Sequence, residues 1–97
     1  MNEIELIAEQ MAALGIEDDA KSSDLIMLRQ AITAEYDAVS LYEQMAASAE
    51  SDKLRELMLS VAKEEKVHIG EFESMLDELD KEHKAAVEDG KQEAADL

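Results

Sequence analysis

Apolar residues return along this chain at alternating intervals of three and four, the spacing that lines one side of an α-helix. Ile4, Ile7, Met11 and Leu14 form the first such set. Asn2 and Glu5 precede it at capping-box spacing, and Gly15 comes after it, where a helix ends in a left-handed residue. The pattern predicts a short amphipathic helix over residues 2–14. Residues 15–23 are acidic and small and have no apolar period, which reads as a linker, with Ser22 or Ser23 placed to cap the next helix. From Asp24 the period becomes regular: Leu25, Leu28, Ile32, Glu35, Val39, Tyr42, Ala46 and Ala49 are spaced by threes and fours. It breaks around Ser48-Ala49-Glu50-Ser51-Asp52, where Ser51 or Asp52 can cap a new helix. A second seam then runs through Leu54, Met58, Val61, Glu65, His68, Phe72, Met75 and Leu79. Two long helices joined by so short a turn are antiparallel neighbours, an αα-hairpin. Beyond Leu79 the chain holds Val87, Leu97 and a few alanines among charges, and the expectation is a frayed helix giving way to disorder or a linker. The organisation predicted is therefore a short N-terminal helix and linker over 1–23, the hairpin over 24–80, and an acidic tail or linker over 81–97.

Composition sharpens this picture. With 97 residues and 46% apolar content, one small domain is expected, too small for a self-sufficient four-helix bundle. The chain has no proline or tryptophan, three glycines, one phenylalanine and two tyrosines. That excludes a sandwich, a barrel or a Gly-rich phosphate-binding domain and leaves an all-α fold. A formal charge of −16 repels phosphate backbones and anionic membranes, so neither nucleic acid nor a membrane is an expected partner, and cations are favoured. Without cysteine there are no disulfides, thiolate metal sites or iron–sulfur clusters, and stability rests on packing or on a partner chain. The start Met1-Asn2-Glu3-Ile4-Glu5 lacks the basic and apolar regions of a signal peptide, so a soluble protein of the cytoplasm, or of an assembly within it, is expected.

Both seams carry polar residues where the period asks for apolar ones: Glu35 in the first, Glu65 and His68 in the second. Each is flanked one turn away by seam residues, Ile32 and Val39 or Val61 and Phe72. An unpaired carboxylate there would cost several kcal/mol, much of a small domain's stability, so something must compensate it. Glu65-Lys66-Val67-His68 is Glu-x-x-His, which sets a carboxylate and an imidazole on one helical face within reach of a single ion. Di-iron and di-manganese bundles use one Glu from each of two helices and a Glu-x-x-His from each of the other two. This chain supplies half of that set. Two copies about a twofold axis supply four carboxylates and two imidazoles, the ligands for two hard divalent ions, and they finish the core as well.

Other residues read more plainly. Glu64 lies about 100° around the helix from Glu65 and reads as solvated, His83 as a surface histidine of the tail. Met27, Met45, Met58 and Met75 read as core filler rather than a copper site. Tyr42, two turns after Glu35 on its seam, is a candidate partner of the ligands or plain core, and Asp37 lies off the seam. Two other readings stand beside a di-iron centre. One is a helical-hairpin dimerisation module that holds Glu35, Glu65 and His68 as buried specificity groups. The other is a zinc or calcium site without turnover.

The segments Ala34-Glu35-Tyr36-Asp37-Ala38-Val39-Ser40-Leu41-Tyr42-Glu43-Gln44-Met45-Ala46 and Ala62-Lys63-Glu64-Glu65-Lys66-Val67-His68-Ile69-Gly70-Glu71-Phe72 closely resemble the encapsulated ferritins, the short ferritin-like cargo of encapsulin nanocompartments. The resemblance covers about residues 24–80. It implies an antiparallel two-helix half-ferritin that completes a ferritin-like four-helix bundle by dimerisation, with a di-iron ferroxidase centre between subunits. The residues that match its ligands are Glu35, Glu65 and His68. It implies a ring of dimers, commonly a decamer, that oxidises Fe(II) and passes it to the interior of the shell for storage. Outer metal-access residues of the family look similar to Asp37 and Tyr42, while some members carry an acid in place of Ala34 and a tryptophan in place of Leu41. Residues 90–97 do not resemble the usual encapsulin-targeting peptide, and related archaeal members are fused to the shell protein itself. A rubrerythrin-like, peroxide-scavenging role is the alternative, since Glu-Glu-Lys-x-His also occurs in rubrerythrins. The chain lacks the cysteines of their rubredoxin relay.

Overall fold

The computed structural model describes residues 2–13 and 19–97, and its elements are four helices: α1 (Glu3–Ala13), α2 (Asp19–Ser48), α3 (Asp52–Leu79) and α4 (Lys81–Ala95). The all-α expectation holds. The chain divides into two compact units, Gln30–Glu73 and Met1–Arg29 with Ser74–Leu97. Among the described residues no helix is long and apolar enough to cross a membrane.

α1 starts as its capping residues require. Asn2 Oδ1 accepts the Glu5 backbone N–H at 2.7 Å, and the Asn2 side-chain amide donates to Glu5 Oε1 at 3.2 Å. The expected stop at Gly15 lies outside the described residues. α2 begins earlier than expected, at Asp19, so residues 19–23 are helix rather than linker. The reason is visible at Ser22, which is buried at 2% exposure one turn before Leu25 and Ile26. A small hydroxyl residue fills an inward position of the helix instead of capping it, and the apolar period cannot register it. In this unit Leu25, Ile26 and Leu76 form the apolar centre.

The largest departure is at the tail. The expected frayed segment is a fifteen-residue helix, α4, although none of its residues is buried. Asp80 makes it possible. Its backbone leaves helical geometry (φ −130°, ψ 87°), its Oδ1 accepts the His83 N–H at 3.0 Å, and its Oδ2 takes Arg29 Nη2 at 3.1 Å. Its side chain is only 2% exposed, so one buried carboxylate both caps α4 and neutralises a cation of α2. Asp80→Ala removes the cap and breaks the pair; we expect a loss of about 2–4 kcal/mol, read by urea unfolding, with α4 melting first in hydrogen exchange.

In Gln30–Glu73 the two long helices form the expected antiparallel hairpin around Val39, Ala46, Ala62 and Ile69. Ser51 caps α3, its Oγ accepting the Leu54 N–H at 3.2 Å. Arg55 secures the turn: it donates to the carbonyls of Ala46 (3.3 Å) and Ala49 (2.6 Å) at the end of α2 and pairs with Asp52 at 2.8 Å. A guanidinium thus adds donors to carbonyls at and just beyond the end of α2, where Ala46 O also accepts the Ala49 N–H at 3.3 Å.

On α2 the inward stripe is the predicted one, with Leu25, Val39 and Ala46 buried and Leu28, Ile32, Glu35, Tyr42 and Ala49 half-buried. On α3 it is rotated. The buried positions are Ala62, Ile69 and Leu76, whereas Leu54, His68 and Met75 of the predicted seam are exposed. Apolar residues occupy both candidate stripes of α3, and only one of the two meets α2. The methionines behave likewise: Met58 is half-buried, but Met27, Met45 and Met75 are 65%, 43% and 47% exposed, so these three are not filler within the chain's own core.

Candidate metal centre

The three polar seam residues come together within Gln30–Glu73. Glu35 stands on α2 between Ile32 and Val39, while Glu65 and His68 stand one turn apart on α3. His68 Nδ1 lies 3.3 Å from Glu35 Oε2 and 3.7 Å from Glu65 Oε2. One donor atom from each residue falls within 4.8 Å of the others, and this is the only such trio of acids and histidines among the described residues. The seam of α2 supplies Glu35, the edge of the inward stripe of α3 supplies Glu65, and the outer flank of α3 supplies His68. The carboxylates are accordingly 20% and 19% exposed and the imidazole 48%.

The electrostatics are those of a site crowded with negative charge. A hydrogen bond with Glu35, then lost hydration, then the Glu35 charge raise the Glu65 carboxyl above its ordinary 4.5, against a smaller pull from His68. At His68 lost hydration favours the neutral ring, but the hydrogen bond to Glu35 and the charges of Glu35, Glu65 and Glu71 outweigh it, and the imidazole lies above its ordinary 6.5. A proton on His68 Nδ1 would face both carboxylates, in hydrogen-bond reach of Glu35 Oε2 at 3.3 Å and near Glu65 Oε2 at 3.7 Å. A divalent cation does the same work with twice the charge, and the donor set of two carboxylates and an imidazole suits iron, manganese or zinc.

The remaining candidates lie elsewhere. Asp37 is exposed on the side of α2 turned away from Glu35, and Tyr42 is half-buried on the seam; neither joins the trio. Glu64 is exposed and His83 is half-buried in the first turn of α4. Sequence reasoning missed Glu71, whose charge reaches His68. Its position three residues after His68 was the available signal.

Comparison with known proteins shows the family. A family model described as Rubrerythrin matches residues 27–96. A ferritin-like-encapsulin shell fusion protein of Pyrococcus furiosus is 46% identical over 71 residues, 73% of this chain and 21% of that protein. The chain thus spans about a fifth of the length of that curated relative. The crystal structure of an encapsulated ferritin domain from Pyrococcus furiosus superposes with a TM-score of 0.78 at 44% identity, covering 79% of each chain. The family binds iron, and membership supports a di-iron function of the ferritin-like, oxidoreductase type. Family model, relative and solved structure agree: the chain belongs to the rubrerythrin family of ferritin-like proteins, among the encapsulated ferritins.

Proposed function

We propose that this chain is a ferroxidase, oxidising Fe(II) to Fe(III) at a di-iron centre shared between two copies and feeding iron storage inside an encapsulin compartment of the cytoplasm. The observation that carries this reading is a half-set of ligands at the border of an uncovered apolar side. Offsets in the same angular sense from Glu35 and from Glu65 fall on the same side of an antiparallel pair of right-handed helices. One side then presents Leu41, Met45, Leu57 and His68, which are 43% to 56% exposed by residue or, for His68, 48% by side chain. The other side carries the Glu43–Lys66 ion pair at 3.1 Å. A monomer leaves large apolar residues in water beside ligands that satisfy half an ion pair's needs.

A second copy laid on this side covers those residues and brings a second Glu35, Glu65 and His68. Fe(II) is the substrate and gives up one electron per ion to the oxidant, dioxygen or peroxide. Glu35 and Glu65 concentrate negative charge on the ions and favour Fe(III) over Fe(II), His68 gives up its proton to bind, and the apolar surround fixes the ligands. Asp37 and Tyr42 are proposed as residues of the access route. The 25 acids of the chain raise the local Fe(II) concentration, an effect that salt weakens. Dimers close into a ring, a decamer, with the encapsulin shell protein as the partner outside it. A rubrerythrin-like reduction of peroxide is favoured by the family match alone. Anaerobic Fe(II) loading followed by dioxygen or by peroxide tests both readings. Fe(III) formation faster than in buffer with either oxidant supports the ferroxidase, turnover only with peroxide and a sustained electron donor supports the second reading, and the rate of buffer alone contradicts both.

The raised groups set the pH dependence. A group whose folded pKa lies above its unfolded value contributes stability below the unfolded value and loses it as pH rises through the folded one. Glu65 and His68 are both raised, from 4.5 and 6.5, so their joint contribution to the metal-free chain falls from about pH 4.5 upward and is gone above the His68 value. Metal must displace the same protons, so affinity should rise over that window. Thermal unfolding with chelator and with Zn(II), from acidic to mildly alkaline pH, should show the two curves diverging; parallel curves would contradict the assignment.

A further inference from the structure

Polar groups flank the buried line of the hairpin along both edges. Within Gln30–Glu73 that line is Val39 and Ala46 on α2 and Ala62 and Ile69 on α3. At about 100° per residue, Glu35 and Glu65 lie about 30–50° from it in one sense, with His68 about 110° round in the same sense. Glu43 and Lys66 lie about 50° from it in the other sense, and Lys66 Nζ reaches Glu43 Oε2 at 3.1 Å. α3 offers a second stripe one residue round, with Leu54 and Val61 in line with His68. Turning that stripe inward would carry Lys66 to about 150° from the line, out of reach of Glu43. It would also carry Glu65 about 50° onto the edge of Glu43, across the line from Glu35. The rotation of α3 therefore decides whether the two carboxylates share an edge, and the ion pair forms only in the rotation in which they do.

We propose that Glu43 and Lys66 are positioning residues of the metal centre: their ion pair holds α3 at the rotation that keeps Glu35, Glu65 and His68 on one edge, open to a second copy. Neither gives a donor atom to the trio. The pair stands on the far edge, so it persists while a second copy covers the His68 side. Its side chains are 58% and 47% exposed, and that sets the size of the effect. An exposed pair of this kind shifts an equilibrium about 1.5- to 5-fold, and reversing one charge turns attraction into repulsion, for about three- to tenfold in all. A cation that needs the common edge binds only chains in that rotation, so its apparent affinity falls with the fraction turned away. This inference rests on the proposed shared centre and adds what keeps its carboxylates together.

The test is a Zn(II) titration of the whole chain and its variants, with native mass spectrometry counting ions and chains. Zn(II) loads the donor set without redox chemistry. Glu43→Lys and Lys66→Glu change the net charge in opposite directions, so a general effect of charge on cation uptake would weaken one and strengthen the other. Both should instead need about three- to tenfold more Zn(II) to pair. The double variant Glu43→Lys, Lys66→Glu rebuilds the pair with its ends exchanged and should return to within about twofold of the parent. Lys66→Arg, which keeps the charge, should do the same. Single variants that pair like the parent, shifts that follow net charge, or a double variant as weak as the singles overturn the inference and leave the shared site standing. Failure of the parent chain itself to pair with Zn(II) overturns both.

Discussion

Glu65→Ala should reduce Fe(II) oxidation to the rate of buffer alone. In the proposed centre each of two copies gives one Glu65, so the change would remove two ligands from a set of six. Losing only a hydrogen-bond partner of a ligand costs about 10–100-fold in affinity or activity, and losing ligands outright should exceed that range. Glu35→Ala and His68→Ala should behave alike, because the three donor atoms lie within 4.8 Å of one another and, among the described residues, no other acid or histidine joins the trio. Glu64→Ala is the control. That residue is exposed and gives no donor atom to the trio, so most activity should survive its loss. Oxidation kinetics of the four variants at one iron loading are sufficient, and equal losses in all four would mean that the ligands lie elsewhere on α3.

Glu35→Gln sets stability against function at a single group. In the metal-free chain Glu35 raises the Glu65 carboxyl, first through a hydrogen bond and, after lost hydration, through the repulsion of its charge. An amide of the same shape relieves that repulsion, so the variant with chelator should unfold at the same temperature as the parent or higher. It should also lose the metal-dependent gain, about 2.7 kcal/mol when free metal stands at a hundred times Kd. If Glu35 were a structural group held by the His68 proton, the amide would forfeit a charged partner and the metal-free chain would weaken. Thermal unfolding of both proteins, with chelator and with Zn(II), separates the two outcomes. A variant that is weakened in chelator yet keeps the full metal gain contradicts the ligand role.

The sequence carried the hairpin and the trio because both are written in a period. Glu35 interrupts a run of apolar residues on α2, and Glu65 interrupts one on α3, so their meeting is a consequence of the seams. The rotation of α3 is not. Val61, His68 and Met75 mark one stripe and Ala62, Ile69 and Leu76 another one residue away, and the alternation of apolar residues cannot choose between them. Packing against α2 selected the second, which left His68 on the outer flank, 48% exposed by side chain. The early start of α2 and the existence of α4 were hidden for a different reason. Ser22 and Asp80 are buried at 2% and 4%, and both are polar residues that count as solvent-facing in any hydropathy pattern. What holds Asp80 inside is specific pairing, with Arg29 and the His83 N–H, and such pairing has no period.

An anaerobic Fe(II) titration followed by native mass spectrometry decides whether the proposed iron site is shared between copies. Pairs of chains, alone or closed into a ring, should appear in step with iron and saturate at about two ions per pair. Glu65→Ala should stay monomeric throughout. A monomer that takes up iron to saturation with Glu35, Glu65 and His68 engaged, and that shows no tendency to pair, would contradict the sharing.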